Sequence, residues 1–389
     1  MTEETVNSKY KFVIVGAGFF GLTLAERIAN ELKENVLVLE TREHIGGNAF
    51  TYFDEETGIE VHKYGTHIFH TSNEKVWSYI NNFGKFNEYR HKVVAIHKGK
   101  TYFMPINLAT INNFFGKRMN PKEARSFLLE KTLNCDEGES LESKATKQIG
   151  SELYNAFIKG YTQKQWQTDP SKLPSSIITR LPVRFDYNID YFSDKYQGIP
   201  LEGYTSVLEK MILNPLIELR KNTDYFSIKN HINHEKTLTI YTGPIDRYFD
   251  FEYGQLGWRT LDLTIEKFNE KDALGNSVIN YPDLDVPFTR KHEFRHLHPE
   301  RQYPEDQTLV MTEVSRRSNP GDEPYYPINS SDDREILAKY RARSKNERNV
   351  LFGGRLGTYQ YLDMHMAIAS ALNMFENEVL GWHRGDLAQ

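Results

Sequence analysis

The stretch KFVIVGAGFFGLTLAERIANELKENVLVLE, from Lys11 to Glu40, constrains the chain more than any other. Phe12 to Val15 is a continuous apolar run of strand type that stops at Gly16, and Leu22, Leu24, Ala25 and Ile28 then follow helical spacing. Gly16, Gly18 and Gly21, with Phe19 between them, complete a G-x-G-x-x-G set. Glycines at that spacing allow the tight turn, the close approach of a pyrophosphate and close helix packing, with the phosphates at the positive helix N-terminus. A second apolar run, Val36 to Leu39, ends at Glu40. That carboxylate lies about 20 residues beyond the glycines, where the ribose of a dinucleotide presents its hydroxyls.

Composition narrows the function classes. With 389 residues, 39% of them hydrophobic and 13% aromatic, the chain can bury a large core and is expected to split into two or three domains. A formal charge of -5 with both signs interspersed gives no basic face, so neither nucleic acid nor a membrane is expected as a partner and small-molecule chemistry is favoured. Cys135 is the only cysteine, which excludes an intramolecular disulfide, a redox thiol pair and a thiolate metal cluster, and suits a reducing compartment. The start, MTEETVNSKY, lacks the basic and apolar regions of a secretory signal, and no apolar run approaches the roughly 20 residues of a membrane span. A cytoplasmic location is the expectation.

After Glu40 the chain continues TREHIGGN. Arg42, followed by Gly46, Gly47 and Asn48, resembles the extension found in FAD proteins of the glutathione reductase and amine oxidase type. An arginine there can reach the diphosphate, and the glycine pair lets backbone pass close to the cofactor. A surface turn with a solvated arginine is the plainer alternative. Near the other end, NVLFGGRLGTYQYLDMHMAIASALNMFENEVL reads as a short strand ending at Gly353 and Gly354, a loop, and a helix from about Asp363 with Asp363 as N-cap. Free N–H groups at such a helix start, aimed at a flavin's pyrimidine edge, would stabilise negative charge and make the reduced, anionic ring the working form. A Gly-rich turn before a core helix fits the same residues.

Between these ends the pattern changes. Helical spacing covers Pro121 to Lys131, with proline at a first helical position, and Leu141 to Tyr161. Strand-type stretches occur around Val93 to Met104, at TLTIYTG from Thr237, WRTLDLTI from Trp258, SVINY from Ser277 and VPFTRKHEF from Val286, and suggest an antiparallel sheet roofing the cofactor. The expected class is α/β: a discontinuous Rossmann-like FAD-binding domain (9–85, 196–247 and 340–389), an inserted helical substrate domain (105–192) with a mobile loop at about 167–182, and an antiparallel β-sheet domain (86–104 and 248–339). Within the helical part, GYTQKQW sets Tyr161 and Trp166 five residues apart, ahead of a loop bearing Arg180 and Arg184. Two aromatics near a helix end can clamp a planar base, worth about 1–3 kcal/mol, and either arginine can reach a phosphate. Leu153, Phe157 and Tyr161 also fall at i, i+4 and i+8, and on spacing alone core packing is the better account.

Longer motifs decide between these accounts. YGTHIFHT (Tyr64 to Thr71), GYTQKQW, LPVRFDYNIDYFSDKYQGIPLEGYT (Leu181 to Thr205), YTGPID (Tyr241 to Asp246), PYYPI (Pro324 to Ile328) and GGRLGTYQYLDM (Gly353 to Met364) together resemble UDP-galactopyranose mutases of the bacterial type, over nearly the whole chain. Thr66 departs from the small residue or proline expected before the histidine. The resemblance implies that Phe157, Tyr161, Thr162 and Trp166 hold uracil and ribose, and that Arg180 and Arg290 close over the diphosphate. It further implies that Tyr191, Arg259, Tyr326 and Tyr361 bind substrate, and that His67, Gly354, Arg355, Tyr361, Leu362 and Asp363 contact the flavin. Planar, always-charged guanidiniums suit a leaving diphosphate. His67 is assigned to the flavin and His70 to structure. Their H-x-x-H spacing has no third ligand cluster nearby, so no metal is expected.

The implied reaction interconverts UDP-galactopyranose and UDP-galactofuranose without net oxidation, supplying galactofuranose for cell-surface glycans. In it, N5 of reduced FAD attacks the anomeric carbon while UDP departs, and the ring recloses through the other hydroxyl. The resemblance also implies a homodimer and an external reductant, NADH or NADPH. Two rivals stand beside it: an amine oxidase-type flavin oxidase or dehydrogenase, and a non-catalytic nucleotide-sugar module.

Overall fold

The run Phe12–Val15 is the central strand of a five-stranded sheet in the computed structural model, which describes residues 9–133, 135, 138–175 and 182–386. Val36–Leu39 and Leu238–Tyr241 flank it, Ile217–Arg220 and Val350–Phe352 form the edges, and every pairing is parallel. A strand covered on both faces needs no polar alternation, and all residues of Phe12–Val15 and Val36–Leu39 are buried. TLTIYTG thus enters this parallel sheet, as Leu238–Tyr241, rather than the antiparallel one.

The helix Phe19–Arg27 leaves the sheet at the glycine turn. Gly16 has φ +105°, and a Cβ on Gly21 would lie 2.1 Å from the Gly16 carbonyl oxygen, so the helix can rest on the strand end only without that side chain. Phe20, Leu22, Leu24 and Ala25 are buried in the main core together with Ile368, Ala371 and Leu372 of the helix Met364–Met374, which packs beside it. Asp363 occupies the N-cap position of that second helix, but its side chain makes no capping bond.

A seven-stranded sheet lies apart, in the order Tyr326–Pro327, Trp258–Phe268, Thr308–Arg317, Arg290–Glu293, Val278–Asn280, Val93–His97 and Lys100–Met104. It is antiparallel except that Val278–Asn280 runs parallel to Val93–Ala95. Those two strands arrive from opposite sides of the helical insert, so a long connection joins them and no hairpin dictates their direction. Of VPFTRKHEF only Arg290–Glu293 is strand; the preceding residues turn, and the Tyr281 N–H donates to the Thr289 carbonyl at 2.9 Å to close that turn.

Pro121–Thr132 begins with proline, and Asn120 and Glu123 cap each other's backbone. Leu141 to Tyr161 is not one helix. Gly150 leaves helical geometry (φ 79°, ψ 159°), a wide π-type turn spans Tyr154–Lys159, and a further helix runs Gly160–Trp166. Such turns collect at functional sites, because they re-aim the side chains that follow. Leu128, Leu141, Ile149, Leu153 and Phe157 bury themselves against Val93, Tyr102 and Val278 of the sheet, each side chain stabilising by about 1.5–3 kcal/mol.

Candidate functional site

A cavity of about 900 Å³ opens at the carboxyl ends of the parallel strands. Gly16, Gly18, Phe19, Gly21, Glu40, Arg42, Gly46, Gly47, Asn48, His67, Gly354, Arg355 and Leu362 line it. The buried Glu40 carboxylate accepts the Ala17 and Arg42 N–H groups, both at 2.9 Å, and so ties the two glycine loops together. Arg42 lies 4.5 Å over the Tyr64 ring and donates from Nη2 to Asn48 at 3.1 Å and to Glu323. Its Nη1 is buried without a partner. A Cβ on Gly18 would meet nothing within 4 Å. An unmet guanidinium donor and an open backbone cradle in one cavity fit the diphosphate of a dinucleotide flavin.

Thr223, Asp224, Arg247 and the loop 318–323 line the same cavity and carry no local motif. Register brings the first of them there. Leu39 lies opposite Arg220, so the chain after Arg220 emerges beside Glu40, and the Thr223 N–H donates to the Glu40 carbonyl at 2.9 Å.

At the opposite wall, the His67 Nδ1 lies 2.6 Å from the Gly65 carbonyl. A carbonyl only accepts, so the proton is on Nδ1 and Nε2 holds the lone pair. The His67 N–H donates to His62 Nδ1 at 3.1 Å, which in turn places the His62 proton on Nε2. Burial, with Arg355 adding repulsion, lowers His67 to about 4, so the ring is neutral at physiological pH. The neighbouring Thr66 hydroxyl is buried without a partner. Arg355 donates to the carbonyls of Tyr325 at 3.1 Å and Leu362 at 2.6 Å and lies 5.1 Å from the Tyr361 ring centroid. Burial and then the Asp363 carboxylate raise the Tyr361 hydroxyl.

Beside this wall Arg290 donates from Nε at 3.0 Å and Nη2 at 2.8 Å to one oxygen of Glu313, whose other oxygen lies 3.2 Å from His292 Nε2. Burial pushes Glu313 upward, but Arg290 and His292 outweigh it and hold the carboxyl at about 2. The same guanidinium bonds Tyr326 and acts through its charge on Tyr161, which Tyr191 also influences, and Tyr326 and Tyr361 stack with ring centroids 5.8 Å apart. Four tyrosines, Arg290 and Arg355 therefore form one electrostatically linked group. Glu313 had no motif; its signal is register, since it pairs directly with Arg290 across the sheet.

Other expected residues stand behind this group. Phe157 is 4% exposed, with Tyr102, Phe114 and His97 rings 4.9, 5.5 and 5.6 Å away, and Thr162 is also buried. Trp166 packs against the helical core. Arg259, expected against substrate, is 1% exposed: it donates to the Gln165 carbonyl at 2.9 Å, to Gln167 Oε1 at 3.0 Å and to Ser315, and so holds the end of the helix Gly160–Trp166. Arg184 donates to the Asp190 carbonyl. Arg180 lies outside the described residues.

Where the H-x-x-H spacing leaves His70 without a ligand cluster, the fold brings Asp363 and His365 to it, with one possible ligand atom from each within 4.8 Å of the others. His67 is not part of that trio. His70 stacks on Phe192 at 3.7 Å, and its Nδ1 is taken up by Asp194 at 2.7 Å.

Comparison with known proteins bears on the whole arrangement. A family model described as UDP-galactopyranose mutase matches residues 156–361, more than half of the chain, and one described as NAD(P)-binding Rossmann-like domain matches 14–83. A probable UDP-galactopyranose mutase of Klebsiella pneumoniae is 42% identical over 94% of each chain. A dTDP-fucopyranose mutase of Escherichia coli is 40% identical over 93% of this chain and 96% of its own. A crystal structure of reduced UDP-galactopyranose mutase shares the fold with a TM-score of 0.72, at 15% identity over 96% of each chain. The chain belongs to the UDP-galactopyranose mutase family.

Proposed function

We propose that the protein interconverts UDP-galactopyranose and UDP-galactofuranose, with FAD in its reduced state as cofactor. The observation that carries this reading is the Arg290 guanidinium, fixed by Glu313 and linked electrostatically to Tyr161, to Tyr326 and to His67, which lines a cofactor-sized cavity. An amine or hydrocarbon oxidase gains nothing from a paired cation there. In the reaction the bond from the anomeric carbon to the diphosphate oxygen breaks, the ring oxygen changes from one sugar hydroxyl to another, and the bond to diphosphate re-forms. No net oxidation occurs.

When bound, reduced flavin supplies the electron-rich centre that engages the anomeric carbon while the diphosphate is detached. The chain's own residues do the rest. The helix Gly160–Trp166 carries Tyr161, proposed to hold uridine with Thr162 and Trp166 backing it, so binding energy far from the reacting carbon orients it. Arg290 meets the charge that develops on the leaving diphosphate, with Arg180 proposed as its partner. His67 keeps its proton on Nδ1 and stays neutral, so it presents an acceptor at Nε2 and does not act as a general acid near pH 7. Met364 and Ala367 line the cavity at the start of the helix Met364–Met374, whose positive end favours negative charge there. The same reading includes a cytoplasmic homodimer, NADH or NADPH as reductant and a product destined for cell-surface glycans; these rest on the family likeness.

The test is an anaerobic incubation with UDP-galactofuranose, with and without dithionite, followed by chromatography of the sugar nucleotides. Conversion to UDP-galactopyranose only in the reduced sample is expected. No conversion by flavin-loaded, reduced protein sinks the reading. A parallel incubation with dTDP-fucopyranose separates the two sugar nucleotides named among the relatives.

A further inference from the structure

The helix Gly160–Trp166 and the turn 281–289 that leads into Arg290 come from distant parts of the sequence, and one side chain joins them. Lys164 Nζ lies 2.6 Å from the carbonyl oxygen of Tyr281, 2.7 Å from Asp283, 3.0 Å from Val286 and 2.8 Å from Phe288. An ammonium carries three protons, so four carbonyls at these distances use all its donors and leave none for a ligand. The carbonyls come from both limbs of the turn. The cation therefore sets the shape of the turn from inside. Outside it, the Asp283 carboxylate takes the Lys98 N–H at 2.7 Å and pairs with His97 Nδ1, which fixes the turn against the strand Val93–His97.

A second contact shows how close the helix lies. A Cβ on Gly160 would stand 2.3 Å from the Pro282 carbonyl oxygen. Burial lowers Lys164 to about 8 against the pull of Asp283 and Asp285, so at neutral pH the ammonium keeps its three protons. Three residues before Lys164 on this helix is Tyr161, and directly after the turn comes Arg290, whose charge acts on the Tyr161 hydroxyl.

We infer that Lys164 is a positioning residue: through the carbonyls of 281–288 its ammonium fixes the spacing between the aromatic clamp on Gly160–Trp166 and the Arg290 guanidinium. The site is thereby matched to a ligand with a base at one end and a diphosphate at the other. The inference rests on the nucleotide-sugar reading for what is bound. It makes Lys164 a determinant of affinity for nucleoside diphosphate without contact to it.

The test uses the FAD-loaded protein, the variants Lys164→Met and Gly160→Ala, and UDP and uridine as probes in titration calorimetry. UDP bridges both subsites and uridine occupies one. In both variants the UDP dissociation constant is expected to rise about tenfold or more while that of uridine stays within about threefold, with FAD content near that of the parent and a melting temperature that falls but stays above the assay temperature. Gly160→Ala disturbs the same contact with no change of charge, and it decides the matter if Lys164→Met does not fold. Unchanged UDP affinity in the variants overturns the inference alone, as does an equal loss for uridine and UDP, which marks a local defect of the clamp. A parent protein that binds no UDP overturns the nucleotide-sugar reading and this inference together.

Discussion

Arg290 and Glu313 show what one pair of residues settles. They are register partners on neighbouring antiparallel strands, so their side chains share a face of the sheet and the carboxylate catches two guanidinium nitrogens at once. Glu313 is 1% exposed and charged at any working pH, which keeps Arg290 from swinging into solvent. A lysine cannot reproduce that fork. Arg290→Lys is therefore expected to lower kcat by about 10²–10³-fold, the usual cost of a lost donor to developing charge. Glu313→Gln keeps the shape but frees the guanidinium, and a displacement of about 1 Å is enough for a further loss of about 10²-fold. Steady-state kinetics on variants matched for FAD content check both; parent-like kcat/KM in Glu313→Gln would show that Arg290 needs no anchor.

Among the elements, the glycine turn separates two effects that a motif lumps together. Gly21 faces protein: its Cβ would run into the Gly16 carbonyl, a backbone atom that cannot yield. Gly18 faces the cavity, and its backbone (φ -85°, ψ -179°) suits any residue. Gly21→Ala is thus expected to destabilise the FAD-free protein by about 1–3 kcal/mol, as overpacking does, whereas Gly18→Ala leaves that stability unchanged and loses only FAD retention. Urea denaturation of the apoprotein beside the absorbance of bound flavin distinguishes them; equal stability loss in both would contradict the geometry. This turn was legible because strand, glycines, helix and Glu40 are contiguous, and the geometry of each depends on near neighbours. Arg42, His67 and Arg355 were legible through longer motifs. Thr223 and Glu313 were not, because strand register delivers them from segments with no local pattern of their own, and neither were Arg247 and the carbonyls around Lys164, because only the folded chain brings them to the cavity and to the helix Gly160–Trp166. The long helix read from Leu141 to Tyr161 failed for a related reason: apolar spacing survives the break at Gly150 and the wide turn after it, so periodicity alone could not reveal either.

Over the whole molecule, the two sheets and the insert enclose histidines that folding keeps neutral. His62 is 1% and His91 7% exposed; burial, the largest influence on each, lowers both to about 3. The unfolded chain titrates its histidines near 6.5, so below that pH it takes up protons that the folded protein refuses. Stability then falls with pH with a slope that approaches about 1.4 kcal/mol per unit for each such group, which makes about 2 kcal/mol for the pair over the first unit below 6.5. His67, His44, His234, His292 and His365, each lowered chiefly by burial, add in the same direction, while His296, raised by Glu293 and Asp272 against its burial, offsets part of one. Glu60 and Glu313 act in another window. Their partners hold them at about 2, so their contribution is complete above the ordinary glutamate value of 4.5 and is lost only as pH falls from there toward 2. Urea unfolding at pH 7.5 and 5.5 tests the histidine part alone, since both glutamates stay charged throughout that range. A drop of at least about 3 kcal/mol is expected at the lower pH, the share of His62 and His91 alone; a midpoint that does not move would mean that His62 and His91 gain their protons without leaving the fold.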